Sequence, residues 1–498
     1  MSSKTRREFL ITAGTGVAVG LLSSRKGQAQ GGPPAVGLRV RRNVVSTAAQ
    51  KDLESLRKGV AEMKKVFKAD RSDPRGWAQQ AFIHGNCNQF TFCQHGNWFF
   101  PPWHRSFIYY FEHLIQFFSG DSSFALPYWD WSRTHSVPAS FYGIGNALND
   151  DLSLKNPPSP PTICPNAPTA GRGVAQTTRF TQPDLDTYVG LKKINEIQSN
   201  PDYATYGGAN SGTGALEATP HNFIHRWVGG IAGGGRKVSN MVQTFSPMDP
   251  IFWMHHCNID RLYSNWLARG FNPPIKVPAW RDKSFNDFYD KDRKKVGAEF
   301  TCGMTVDSRV MGYVYDSLLA MPQALAIQSR GSGNEAVMGS VSASKGTAKA
   351  GVLSFVTDAA PSAQTRQFLN AAAVGAASNV ARLTIHNVKK PKHQNTSVHV
   401  FIGPNITAET PITAPGYVGS FTFFEGEVAG DAHHHERTIL FNASDALRDL
   451  YGDTSLPEGA NLTVSLVTRP LTAGVQSFAT VEEVRPDRIQ IDVVDLNA

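Results

Sequence analysis

Six histidines in two clusters constrain this chain more than any other feature. His84, His95 and His104 make the first, the last two inside the run H-G-N-W-F-F-P-P-W-H-R. His221 and His225 in H-N-F-I-H make the second, together with His256 in D-P-I-F-W-M-H-H-C-N-I-D. The i,i+4 spacing of His221 and His225 demands a helix, because that spacing sets both rings on one face. Three neutral imidazoles around open coordination positions suit copper, zinc, iron or nickel. Two such triads in one domain imply a paired site, where two metals can clamp one small ligand or substrate oxygen between them. A lone histidine usually belongs to a surface or a core, but the joint pattern overrides that reading and points to a metalloenzyme.

A chain of 498 residues exceeds one ordinary core, so two or three domains are expected. The formal net charge of +8 is concentrated at the start, where Lys4, Arg6, Arg7, Arg25 and Lys26 stand against Glu8. The rest carries only a mild excess, and no basic stripe with interleaved aromatics marks a nucleic-acid surface. S-S-K-T-R-R-E-F-L-I-T-A-G reads as a twin-arginine export signal, with residues 1–29 removed after Ala29 and the mature chain periplasmic or secreted. Residues 11–22 are too short to span a bilayer. No membrane or nucleic-acid partner is therefore expected after processing.

Periodicity divides the remainder. Residues 30–48 are Gly/Pro-rich and read as a surface lead-in. Leu53, Leu56, Val60, Met63 and Phe67 recur at helical spacing over 51–68. Residues 105–118, 221–227 and 251–267 read as further helices. Loops are expected at 157–168, which is proline-dense, and at 207–214, which is glycine-rich. Composition changes after Asn272, and 311–315 is strand-like. The Ser/Gly/Ala stretch at 328–351 reads as a linker and a cleavage region. Beyond about residue 378, short alternating strands suggest a β-sandwich or barrel. The expected layout is a two-metal domain over 30–275, a bridging segment over 276–327, a linker over 328–377 and a β domain over 378–498. The fold class is a mainly α-helical metal domain with a four-helix-bundle core, followed by an antiparallel β-sandwich.

The motifs resemble those of the type 3 copper family: tyrosinases, catechol oxidases and, more distantly, haemocyanins. His95, Phe100, Trp103, His104, Arg105 and Glu112 match its first copper motif. Asp249, Pro250, Phe252, His256 and Asp260 match the second, which makes His256 the ligand and His255 a packing neighbour. His84 is placed as a ligand only by its position before the first motif. The P-Y-W-D-W run at 127–131 is similar to a family segment, and 311–315 and 383–467 resemble the later parts of plant polyphenol oxidases.

The resemblance implies two copper ions, O₂ as co-substrate and small phenols as substrates; a copper-delivery partner is not identified by it. It implies that Glu217 and Asn222 hold a water that deprotonates monophenols, that Arg226 influences substrate docking, and that the substrate ring lies against His225. Cys93, in C-x-H before His95, is the thioether candidate, with Cys87 its competitor. That bond would leave an even number of the five cysteines Cys87, Cys93, Cys164, Cys257 and Cys302, although plain buried or disulfide cysteines remain open. The expected activity is a tyrosinase, oxidising monophenols and o-diphenols to o-quinones. A catechol oxidase and a haemocyanin-like O₂ carrier are the alternatives. The C-terminal domain is expected to cover the site with Phe423 or Phe424, and His433, His434 and His435 read as either a copper stop or a solvated loop.

Overall fold

The computed structural model describes residues 37–86, 90–143, 145–150, 172–230, 239–318, 335–374, 378–391, 395–424, 436–451, 455–471 and 478–497. The expected export signal, Cys87, Cys164, the expected 157–168 loop and His433 to His435 lie outside these residues. Residues 39–498 form one compact unit; of residues 1–38, only Gly37 and Leu38 are described.

Helix α1 (Gln50–Ala69) buries the five apolar residues whose spacing predicts it. Helix α2 (Trp77–His84) ends on the first histidine. Helix α3 (Phe100–Ser119) carries Pro101 and Pro102 in its first turn, where an absent N–H costs no helical bond. It stops at Gly120, whose φ of 74° is left-handed. Helix α4 (Asn222–Gly229) is entered through a π-turn over Glu217–His221 that contains Pro220. Proline withholds an N–H there, and the widened turn accommodates the gap. Helix α5 (Ile251–Ala268) starts where Asp249 Oδ1 accepts the Ile251 N–H at 3.1 Å. Fully buried Trp77, Trp103, Trp129, Trp131, Trp253 and Trp266 pack among these helices. Each such side chain contributes about 1.5–3 kcal/mol by leaving water.

The charged residues of the two motifs hold the helices together. Asp260 receives Arg105 and, at 3.2 Å, Arg41, and accepts the hydroxyls of Tyr313 and Tyr315 at 2.6 Å each. Glu112 receives Arg39 and Arg41 at 2.9 Å each and the Leu126 N–H at 2.8 Å. The expected surface lead-in is thus corrected: strand β1 (Arg39–Arg41) pairs in parallel with β2 (Tyr313–Tyr315), and Arg41 is fully buried. Buried guanidinium groups need carboxylates, and that need draws the segment inward.

The C-terminal part contains two antiparallel sheets. One orders β8 (Tyr417–Thr422), β7 (Thr396–Ile402), β10 (Thr463–Pro470), β5 (Val352–Val356) and β4 (Gly346–Lys349). The other orders β9 (Glu436–Asn442), β6 (Asn379–Lys389), β11 (Arg488–Asp495) and β3 (Ala336–Ala343). Side chains of both share one buried apolar cluster, including Leu353, Val400, Leu466, Ile385 and Ile491. The linker expected over 328–377 is corrected here. Within it, β3, β4, β5 and a helix over Ala363–Ala373 belong to this part. Their small residues fit the sheets, as at Gly339, where a Cβ would meet Thr365 Oγ1 at 2.7 Å.

The loop at 207–214 is pinned to β9 rather than free. Thr213 exchanges backbone hydrogen bonds with Thr438 and Leu440 at 2.8 and 3.0 Å. A Cβ at Gly212 would meet Leu440 Cδ1 at 2.4 Å, so glycine permits the approach.

Candidate metal centre

Each histidine is delivered by a different local device. His84 closes α2, His104 lies in the first turns of α3, His221 ends the π-turn, His225 lies in α4 and His256 in α5. His95 lies in the loop before α3. Among the described residues, two groups have donor atoms within 4.8 Å of one another: His84, Cys93, His95 and His104; and His221, His225, His255 and His256. The groups adjoin, with the rings of His104 and His256 stacked at 4.4 Å. Phe100, Trp103, Phe107 and Phe252 wall them.

Burial pushes the imidazoles of His84 and His225 down to about 3 and holds the others well below their ordinary value. They are neutral, and the hydrogen bonds fix their tautomers. Nδ1–H of His84 donates to the Thr244 carbonyl. That of His104 donates to Phe100 O at 2.8 Å, and that of His225 to Met241 O at 2.7 Å. His95 donates to Glu217 Oε1 at 3.1 Å and His221 to Asn222 Oδ1 at 2.9 Å. All five therefore present an Nε2 lone pair.

In the first group, His84 Nε2 and His95 Nε2 face each other at 3.4 Å. With both Nδ1 protons committed elsewhere, neither atom can donate to the other. Nε2 of His221 is buried without a hydrogen-bond partner. Facing lone pairs on neutral imidazoles fit a cation such as copper, which accepts what the protein leaves unshared. His255 has the opposite tautomer. Trp131 Nε1, which can only donate, lies 3.1 Å from His255 Nδ1, so the proton of His255 sits on Nε2. His255 belongs to the second group by distance but offers no lone pair to it.

Cys93 is a buried free thiol whose Sγ lies 3.2 Å from His104 Nε2, and burial raises its thiol well above the usual range. Glu217 is pushed up to about 7 by burial, against the opposing influence of Arg437. Its carboxylate also accepts the Gly96 N–H at 3.1 and 3.0 Å. Arg226 is buried, and its Nη2 donates to Asn395 Oδ1 at 2.7 Å.

The choice between Phe423 and Phe424 falls on the second. Phe424 stacks on His225 with centroids 3.9 Å apart and also meets His221 and His95. Phe423 joins the apolar cluster of the sheets. The motif reading gave Trp131 a place in a family segment but no role, and it named none of Asn395, Thr422 or Arg437. Their partners lie more than 120 residues away in sequence, so no local spacing signals them.

Residues 74–269 match the Tyrosinase family model, the common central domain of tyrosinase. Tyrosinase HcTyr1 of Hahella sp. (strain CCB-MM4) is 30% identical over 295 residues, covering 52% of this chain and 59% of that protein. Catechol oxidase B, chloroplastic, of Solanum tuberosum is 26% identical over 478 residues, covering 90% and 77%. The chain thus spans less than two thirds of the Hahella protein. A solved structure of recombinantly expressed latent aurone synthase, a polyphenol oxidase, shares the fold with a TM-score of 0.66 at 20% identity, covering 96% of this chain and 93% of that one. Among the described residues, no helix is long and apolar enough to cross a membrane. Both histidine groups, with their copper-binding chemistry, fall inside the matched segment, so residues 74–269 carry a central domain of the tyrosinase family.

Proposed function

We propose that this protein is a tyrosinase, exported by the twin-arginine route, that oxidises monophenols and o-diphenols to o-quinones with O₂. His84, His95 and His104 hold one copper ion, and His221, His225 and His256 hold the other. The two ions supply the redox chemistry with O₂ when bound. The observation that carries the monophenol reading is the seating of Glu217 on His95 and of Asn222 on His221, one polar group beside each histidine group.

The substrate ring takes the place that Phe424 fills against His225. The aromatic wall excludes water around it. Glu217, poised near neutrality by burial, polarises a water with Asn222, and that water accepts the phenol's hydroxyl proton. Arg226, whose Nη2 is given to Asn395 Oδ1 at 2.7 Å, influences substrate docking once Asn395 withdraws. Cys93 forms the thioether to His95 in a two-electron oxidation with O₂ as the acceptor, the sulfur replacing a ring C–H hydrogen as the thiol loses its own, and the bond fixes that ring. The C-terminal sheets act as a shield, which makes the uncut chain latent.

Oxygen uptake by the copper-loaded 30–498 chain tests this, with tyrosine and with a catechol, before and after limited proteolysis. Uptake with both, rising after cleavage, is expected. Uptake with the catechol alone would leave a catechol oxidase and remove the role of Glu217 and Asn222. Reversible O₂ binding without turnover would revive the carrier.

A further inference from the structure

The C-terminal sheets touch more of the site than the ring position. Arg437 on β9 places Nη1 3.3 Å from Glu217 Oε1. It crosses Gly96, where a Cβ would lie 3.3 Å from that nitrogen. The Thr422 carbonyl, at the end of β8, accepts the Asn222 amide at 3.0 Å. One turn earlier, Thr219 Oγ1 donates to Ser420 O at 2.7 Å. Each partner of the proposed water site is thus engaged by the shield, through atoms separate from the Phe424 ring.

We propose that the shield closes the centre with two independent locks: Phe424 fills the ring position, and Arg437 with the Thr422 carbonyl clamps the Glu217–Asn222 pair. The inference rests on the tyrosinase reading and adds a control on which substrate is turned over. Arg437 Nη1 occupies a lone pair of Glu217 Oε1 that a water would otherwise use. An amide whose N–H is given to a backbone carbonyl has one donor fewer for a water. Diphenol oxidation needs ring access and little more, whereas monophenol hydroxylation also needs the base. The first lock therefore gates both reactions, and the second gates the monophenol reaction alone. Arg437 is a positioning residue in this scheme, since it acts through Glu217.

The test uses full-length F424A, R437Q and the double variant F424A/R437Q, without proteolysis. Copper-loaded F424A is expected to oxidise catechol while its tyrosine-to-catechol ratio stays at least about ten-fold below that of F424A/R437Q, a fraction of what a general base supplies. R437Q alone is expected to stay closed to both substrates, and F424A/R437K to behave like F424A. Equal ratios in F424A and F424A/R437Q would overturn the second lock. A readout on metal-free protein guards against misfolding: the melting-temperature losses of R437Q and E217Q are expected to be non-additive in R437Q/E217Q. Additive losses would show that Arg437 does not hold Glu217, overturning the clamp. If neither the variants nor protease-treated chain consumes O₂ with catechol, the oxidase reading fails, and the melting cycle alone decides whether the clamp exists.

Discussion

Trp131 Nε1 donates to His255 Nδ1 across 3.1 Å, and this one bond separates two adjacent histidines by function. The indole can only donate, so His255 keeps its proton on Nε2, away from any metal role. His256 has no such constraint: its Nε2 faces His225 Nε2 at 3.3 Å. Substituting His256→Gln is expected to lower copper content to about one ion per chain, and His255→Gln to leave two. Metal analysis of the purified variants checks this. Equal losses from both would mean that the tautomer argument fails.

Glu217→Gln is expected to cut tyrosine turnover by about 100-fold in proteolysed, copper-loaded chain while lowering catechol turnover far less. The carboxamide keeps the shape and can still accept the Gly96 N–H, but it cannot take up a proton. Steady-state rates with the two substrates read the split. A uniform loss would make Glu217 a support for His95 only.

The Cys93 thiol is buried and sits among the first histidines. Peptide mass mapping of protein loaded with copper in air is expected to find Cys93 joined to His95 and unreactive to alkylation after unfolding. A Cys93 that alkylates fully, or joins His104 across the 3.2 Å contact, would refute the assignment.

Asp260 is buried between Arg41 and Arg105. Removing its charge leaves two guanidinium groups short of a counter-ion, so Asp260→Asn is expected to cost about 3–5 kcal/mol of stability. Denaturant unfolding of the metal-free protein measures it, and a loss below about 1 kcal/mol would place the network's strength elsewhere.

Asp150 is pushed up to about 7, first by burial and then by the nearby Asp249 carboxylate. Its folded-state value exceeds the ordinary 3.8, so the native protein holds this proton more tightly than the unfolded chain. The contribution to stability is full below the unfolded value and falls as pH rises toward about 7. Asp150→Asn is expected to flatten that part of the profile, gaining on the parent protein at higher pH. Urea midpoints at about pH 5 and about pH 8 compare the slopes. An unchanged slope would contradict the assignment.

Sequence alone carried the helices that bear His225 and His256 and the body of the one that begins before His104, because apolar spacing and the i,i+4 pair are local patterns. It also carried the β character of the C-terminal part. It misread 336–356 as linker, since small residues that pack in sheets share the composition of residues that pack nowhere. It missed the burial of Arg41 because the carboxylates that draw it inward are Glu112 and Asp260, far along the chain.

What only the tertiary structure decided is how the two halves meet. Phe423 and Phe424 are identical in kind and adjacent, and only the course of the chain beyond β8 turns one ring onto His225 and the other into the sheets' core. Arg437 reaches Glu217 across 220 positions, and the Thr422 carbonyl reaches Asn222 across 200. Periodicity reports which face of an element is buried. It does not report which distant residue covers that face, because the partner is set by the packing of whole sheets against whole helices.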